Sequence, residues 1–222
     1  DRIRWLEFRR VLFRSYTFNI FSNYISDLGS TKYTPLPIIF DLNAIITGIL
    51  CLIVFYHSNN VLHQVIRPKL TPSNQWVLKS MNFSKYLLIL GPIGLAGIGI
   101  FSEDRNFFEL HFIFAVIAFL GFTFGSIAMA ITSLAVDTFI PAKMAKSMIL
   151  APLTLLIFYL TNLALPIPFV SMIFFEWCIF LCTFWWVLPN GFLLLRYLEI
   201  NKPAITPFSI QAFYMPFPTQ IS

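Results

Sequence analysis

Five side chains able to do acid–base or ligand chemistry fall at one depth of an otherwise apolar chain: Asp27, Asp41, His111, Asn162 and Glu176. Carboxylates combined with a histidine can hold a metal ion, relay protons or act as general acid and base. Ionisable groups inside a membrane span cost about 2.5–3.5 kcal/mol near the helix centre, so they face the protein interior and mark function by default. Asp41, His111 and Glu176 are therefore the catalytic candidates, and Asn23, Ser26, Asp27 and Asn162 the ligand-binding ones. Together they outline a pocket opening on one side of the membrane for a small-molecule or lipid ligand. The structural alternative is that Asp27 caps the next turn while Asn, Asp and His hydrogen-bond between helices as packing glue. Spacing does not choose between them. No H-E-x-x-H, G-x-S-x-G or P-loop pattern is present, so neither metal nor cofactor is identified. The other side of the membrane offers no comparable group of polar residues.

The elements that must position these residues follow from composition. Of 222 residues, 58% are apolar, 26 are Phe and only 11% are charged. A soluble domain carries about 25% charged residues, so this chain has too few to coat a water-facing surface. A crossing helix needs about 20 mostly apolar residues. Five stretches qualify: Pro35–Tyr56, Phe83–Phe101, Glu109–Val136, Ser147–Leu165 and Phe169–Tyr197. The sequence predicts an all-α, polytopic transmembrane bundle of five complete spans, with the lipid bilayer as its main partner. His57–Asn82 reads as a polar loop holding a short interfacial helix near Val61–Ile66. Pro189-Asn190-Gly191 is expected to kink or end the last span. An outer-membrane barrel is excluded, because no alternating ten-residue pattern occurs. Gly91, Gly94, Gly97, Gly121 and Gly125 predict close helix packing. Trp177, Trp185 and Trp186 read as lipid-facing or interfacial residues. Cys51, Cys178 and Cys182 sit inside apolar runs and read as packing residues.

Residues 1–15 supply +3 of the net charge of +5. Val-Leu-Phe-Arg-Ser at 11–15 matches a translated sequencing-adapter end, so the opening reads as a non-native scar rather than a basic surface helix. Without it the basic pI gives no argument for nucleic acid. The domain plan is then a scar at 1–15, one transmembrane domain at 16–198 and an irregular tail at 199–222. Tyr16–Tyr24 is half a span, which makes the intact protein a six-helix one with its first helix truncated here. Arg67, Lys69, Lys79, Lys85, Lys143, Lys146, Arg196 and Lys202 fall on one side of the spans, and only Lys32 and Arg105 on the other. The positive-inside bias places the first group and the C-terminus in the cytoplasm, and the polar pocket outside.

Asn23-Tyr24-Ile25-Ser26-Asp27-Leu28-Gly29, followed by Ile39-Phe40-Asp41 and Thr47-Gly48-Ile49, resembles an uncharacterised family of prokaryotic six-helix membrane proteins, domain-of-unknown-function family 998. Phe101-Ser102-Glu103 with His111 is similar to its acidic-loop-to-histidine element, and Glu176 to its buried acid. Asp41 stands where the family has Asn, and Trp177 where it has Arg. The resemblance covers about Phe18–Leu198. It implies an inner-membrane location and the importance of these residues, not a reaction. The expected role is an integral inner-membrane protein with an outward polar pocket. The alternatives are an intramembrane lipid or metal-dependent hydrolase, or a small transporter or sensor. Oligomeric state is open.

Overall fold

A computed structural model describes residues 18, 21–165, 167 and 170–200. Five long helices follow one another: α1 (Pro37–Ile66), α2 (Trp76–Ile100), α3 (Leu110–Ala135), α4 (Ala142–Ala164) and α5 (Met172–Ile200). Single 3-10 turns at Ser26–Gly29, Arg67–Lys69, Pro72–Asn74, Glu103–Arg105 and Phe107–Glu109 join them, and no strand occurs among the described residues. All five helices are long and apolar enough to cross a membrane, as the sequence predicts. The proposed scar at 1–15 lies outside the described residues, as does nearly all of the tail. Of the truncated first span, Phe21–Tyr24 is described and forms turns rather than helix.

Three boundaries differ from expectation. The polar stretch 57–82 is mostly helical, and only about nine residues separate α1 from α2. Two of its polar residues, Ser58 and Asn59, are turned inward and with Leu62 and Ile66 continue the buried face of Phe55, opposite Val77, Met81 and Ser84 of α2. Asn59 Nδ2 satisfies itself on the Phe55 carbonyl at 2.8 Å, one turn back, so it does not break the helix. Next, Pro189 lies inside α5, which runs on to Ile200. Trp186, Asn190 and Leu194 form one buried stripe across that point, and packing of the stripe holds the helix through the proline. Finally, α4 begins at Ala142, five residues earlier than hydropathy alone suggests.

Glycine sets the core. A Cβ on Gly121 would stand 2.5 Å from the Gly91 nitrogen, and one on Gly94 would collide with the Ala118 backbone. So α2 and α3 meet backbone to backbone, where only small residues allow it. Gly48 of α1 fits in the same way against the Pro92 carbonyl, at 2.7 Å. Phe55 bridges this seam to α5, edge-on to Phe122 at 6.0 Å and stacked on Trp186 at 5.6 Å. Trp186 is thus a core residue, not a lipid-facing one, whereas Trp185 is exposed as expected. The remaining exposed surface of the helices is Leu, Ile and Phe, the composition a lipid environment requires.

Candidate functional site

The first turns of α1, α3 and α5 and the loops at residues 21–34 and 101–109 come together at one end of the bundle. Asp41 enters one turn into α1 and is buried. Its Oδ2 accepts a hydrogen bond from Arg105 Nη2 at 2.6 Å, forming an ion pair whose acid is 6% exposed and whose arginine is 47% exposed. Arg105 is fixed by Ser102 Oγ, to which its Nε donates at 3.2 Å, and by the Gly99 carbonyl at 3.3 Å. The second Asp41 oxygen, Oδ1, is buried and has no hydrogen-bond partner among the described residues. Gly29 lies over it: a Cβ there would sit 2.9 Å from Oδ1. The glycine that ends the Ser26–Gly29 turn therefore makes room for the free side of the acid.

His111, in the first turn of α3, is 5% exposed. Its Nδ1 is 2.7 Å from the Phe101 carbonyl, which can only accept, so Nδ1 carries the proton. Nε2 then points at Glu103 Oε1, 3.6 Å away. The ring is delivered by an unusual loop. Phe108 and Glu109 both adopt left-handed backbone, at φ 53° and 58°, which is uncommon for residues with side chains. The Asn106 side chain accepts the His111 backbone N–H at 3.1 Å.

Glu176, in the second turn of α5, faces the backbone N–H groups of Ile25 and Ser26 and feels the charges of Asp27 and Glu103. Ser26 Oγ also reaches Glu103, at 3.5 Å. Asp27 accepts from Asn23 Nδ2 and from the Tyr24 N–H, both at 3.0 Å, so it ties its turn back to the preceding residues. Trp177 donates from Nε1 to the Asn23 carbonyl at 3.0 Å, which pins this turn to α5. Trp177 is therefore a site-building residue, a role its aromatic class alone did not suggest. Asp104 ties the two loops together, accepting from Ser30 Oγ and the Thr31 N–H at 2.8 Å each. Partial burial pushes its carboxyl up, but the hydrogen bonds from Thr31 and Ser30 and the Arg105 charge outweigh that and hold it below the ordinary value.

The structure thus gathers Asn23, Ser26, Asp27, Asp41, His111 and Glu176 at one end. It does not bring Asn162 into the group. That side chain accepts from the Ile167 N–H at 2.9 Å and donates to the Val170 carbonyl at 3.3 Å, bracing the link between α4 and α5. Among the described residues no three His, Cys, Asp or Glu side chains form a group that could hold a metal ion. Sequence reasoning tied Glu103 to His111 only through the family resemblance, and it missed Asp104 and Arg105 as partners, because loop charges next to a span read as solvated. It also missed a polar interior toward the opposite end: Ser58, Asn59, Ser133 and Asn190 are buried, each with an oxygen lacking a partner among the described residues. Neighbouring Ser84 and Thr132 are satisfied across or along the helices, by the Gly125 and Ala128 carbonyls at 2.9 Å each. No family model, curated protein or solved structure matches this chain.

Proposed function

We propose that this is a multi-pass protein of a prokaryotic inner membrane whose outward end is a site for a proton or for a small ligand that donates a hydrogen bond. The supporting observation is the half-used carboxylate of Asp41. One oxygen is held by Arg105, and the other is buried and unpartnered among the described residues, in a corner shared by Gly29, Phe40 and Ser102. An acceptor in that state is costly unless a proton or a donor reaches it. His111 Nε2 and Glu103 Oε1, 3.6 Å apart, stand in the same cluster. Membership of domain-of-unknown-function family 998 belongs to the same proposal and rests on Asn23, Ile25-Ser26-Asp27-Leu28-Gly29 and Phe40.

The outward orientation rests on loop charge. A reporter fused after Gln75 or after Lys202 should stay cytoplasmic, and one inserted near Arg105 should be exported; export of the Gln75 fusion would reverse the assignment. The site itself is tested by thermal unfolding of the full chain between about pH 5 and 8, the range in which His and perturbed carboxyls titrate. Asp41→Asn and Glu176→Gln keep shape and lose charge, so each should alter the pH profile. Two variants that fold normally and keep the wild-type profile would remove the proposal.

The enzyme reading, an intramembrane hydrolase acting on a lipid or through a metal, draws on a separate observation. His111 is held in one tautomer by the Phe101 carbonyl, which leaves Nε2 as the basic nitrogen, the arrangement that orients a general base. A transport or sensing role draws on the partnerless buried oxygens farther along the bundle.

A further inference from the structure

At the opposite end of the bundle, where Arg67 and Lys69 lie, α1 and α2 part to leave a cleft. Its volume is about 150 Å³, and it is lined by Asn59, Asn60, His63, Met81, Asn82 and Lys85. That is below the roughly 300–1,000 Å³ of pockets for drug-sized ligands, so it suits a compact polar group rather than a whole metabolite. Its chemistry is two-sided. Lys85 brings a positive charge, and His63, Asn60 and Asn82 bring N–H donors, a set that suits phosphate oxygens. Asn59 brings the reverse. It is 3% exposed, its Nδ2 is spent on the Phe55 carbonyl, and its Oδ1 has no partner among the described residues. A ligand that completes this cleft must therefore accept at one end and donate at the other.

The surroundings say where such a ligand comes from. Lys85 Nζ sits 5.6 Å from the centroid of the exposed Tyr56 ring, and Phe83 and Tyr86 are also exposed beside it. Aromatic rings next to a lysine at a span end mark the headgroup level of a bilayer. The cleft thus lies where phospholipid headgroups are most concentrated.

We propose that this cleft binds a phosphate group with a neighbouring hydroxyl or ammonium donor. Lys85, His63 and Asn82 take the phosphate, and Asn59 Oδ1 accepts from the donor. A phosphatidylethanolamine or phosphatidylglycerol headgroup satisfies both ends. Phosphatidylcholine offers the phosphate without the donor. Glycerol 3-phosphate offers both from solution.

The purified full chain, titrated in detergent with each of these lipids and read by native mass spectrometry, tests the idea. Ethanolamine or glycerol headgroups should bind about tenfold more tightly than choline, the effect of one good hydrogen bond. Lys85→Gln should weaken all three lipids together, whereas Asn59→Leu should erase the preference and leave choline binding unchanged. Asn82→Leu, at an exposed position, should weaken all three without touching the interior, so the question survives if Asn59→Leu does not fold. Displacement of bound lipid by glycerol 3-phosphate would name a soluble phosphate as the natural source, and resistance to it would name the lipid. Equal affinity for all three headgroups in the wild type, or unchanged binding in both Lys85→Gln and Asn82→Leu, overturns the proposal.

Discussion

The two halves of the bundle are held by different means. In α2 and α3, 44% and 39% of the most apolar stretch is buried within the chain; in α4 and α5 the figures are 6% and 17%. The cause is side-chain size. The first pair carries Gly91, Gly94, Gly97, Gly121 and Gly125, and the backbones close on each other until a single added methyl would collide. The second pair has large Leu, Ile, Phe and Trp side chains along most of its length. Gly191, the glycine of α5, has nothing within 4 Å of where a Cβ would stand. In lipid there is no hydrophobic gain from moving a leucine off a lipid tail onto another leucine, so close van der Waals packing decides which helices associate. The α2–α3 pair is therefore a rigid post. By comparison α4 and α5 are loosely applied: Trp186 of α5 stacks on Phe55 of α1, and Asn190 of α5 meets Met148 of α4. The polar cluster around Asp41 straddles both: Asp41, Arg105 and His111 are anchored on the post side, and Glu176 and Trp177 arrive on the looser one.

The comparison breaks most sharply at Gly121. Gly121→Leu puts a branched side chain against backbone that cannot move aside, and should cost about 3 kcal/mol, the upper end for overpacking, read as a large fall in unfolding temperature in detergent. Leu156→Ala, on the exposed face of α4, should change it little; equal losses at the two sites would mean that the halves are packed alike. The next effect belongs to the ion pair. Arg105→Gln leaves Asp41 buried without its cation and should cost about 1–3 kcal/mol, the penalty of a charged group left short of its partner. Asp41→Asn in the same background should recover part of that loss, and a double variant less stable than Arg105→Gln alone would contradict the pairing.

A smaller change is expected at Asn162, whose two loop hydrogen bonds are each worth about 0.5–1.5 kcal/mol or less where exposed. Asn162→Ala should loosen the α4–α5 link, seen as faster exchange of the Ile167 amide that Asn162 holds, while Glu176 behaves as before. The smallest effect is at Asp104. Because its folded-state carboxyl titrates below the ordinary value, it adds stability above the unfolded-state pKa of about 3.9, and that contribution fades as pH falls through the lower folded-state value. Asp104→Asn should thus be slightly less stable than wild type near neutrality and equal to it in strong acid; a difference that grows with acidity would reverse the sign.

Much of this was written in the sequence in forms that need no third dimension. Runs of about 20 apolar residues cannot be soluble and must be helical in lipid, because every backbone polar group has to be satisfied within its own segment. Five spans, their order and the inward bias of Asp41, His111 and Glu176 follow from that alone; the glycines announce close packing, but that the second and third spans are the pair that closes is a matter of the packed bundle. What the linear pattern could not supply was the meaning of polar residues at the ends. Hydropathy averages all faces of a helix, so Ser58 and Asn59 read as loop-like although each is buried, and the helices reach farther than their apolar runs. Nor could composition tell that Arg105 turns back onto Asp41 across 64 positions, that Trp177 builds the site while Trp185 meets lipid, or that Asn162 serves a loop. Those assignments depend on which backbones approach closely enough for a hydrogen bond, a length of about 3 Å that only the packed bundle fixes.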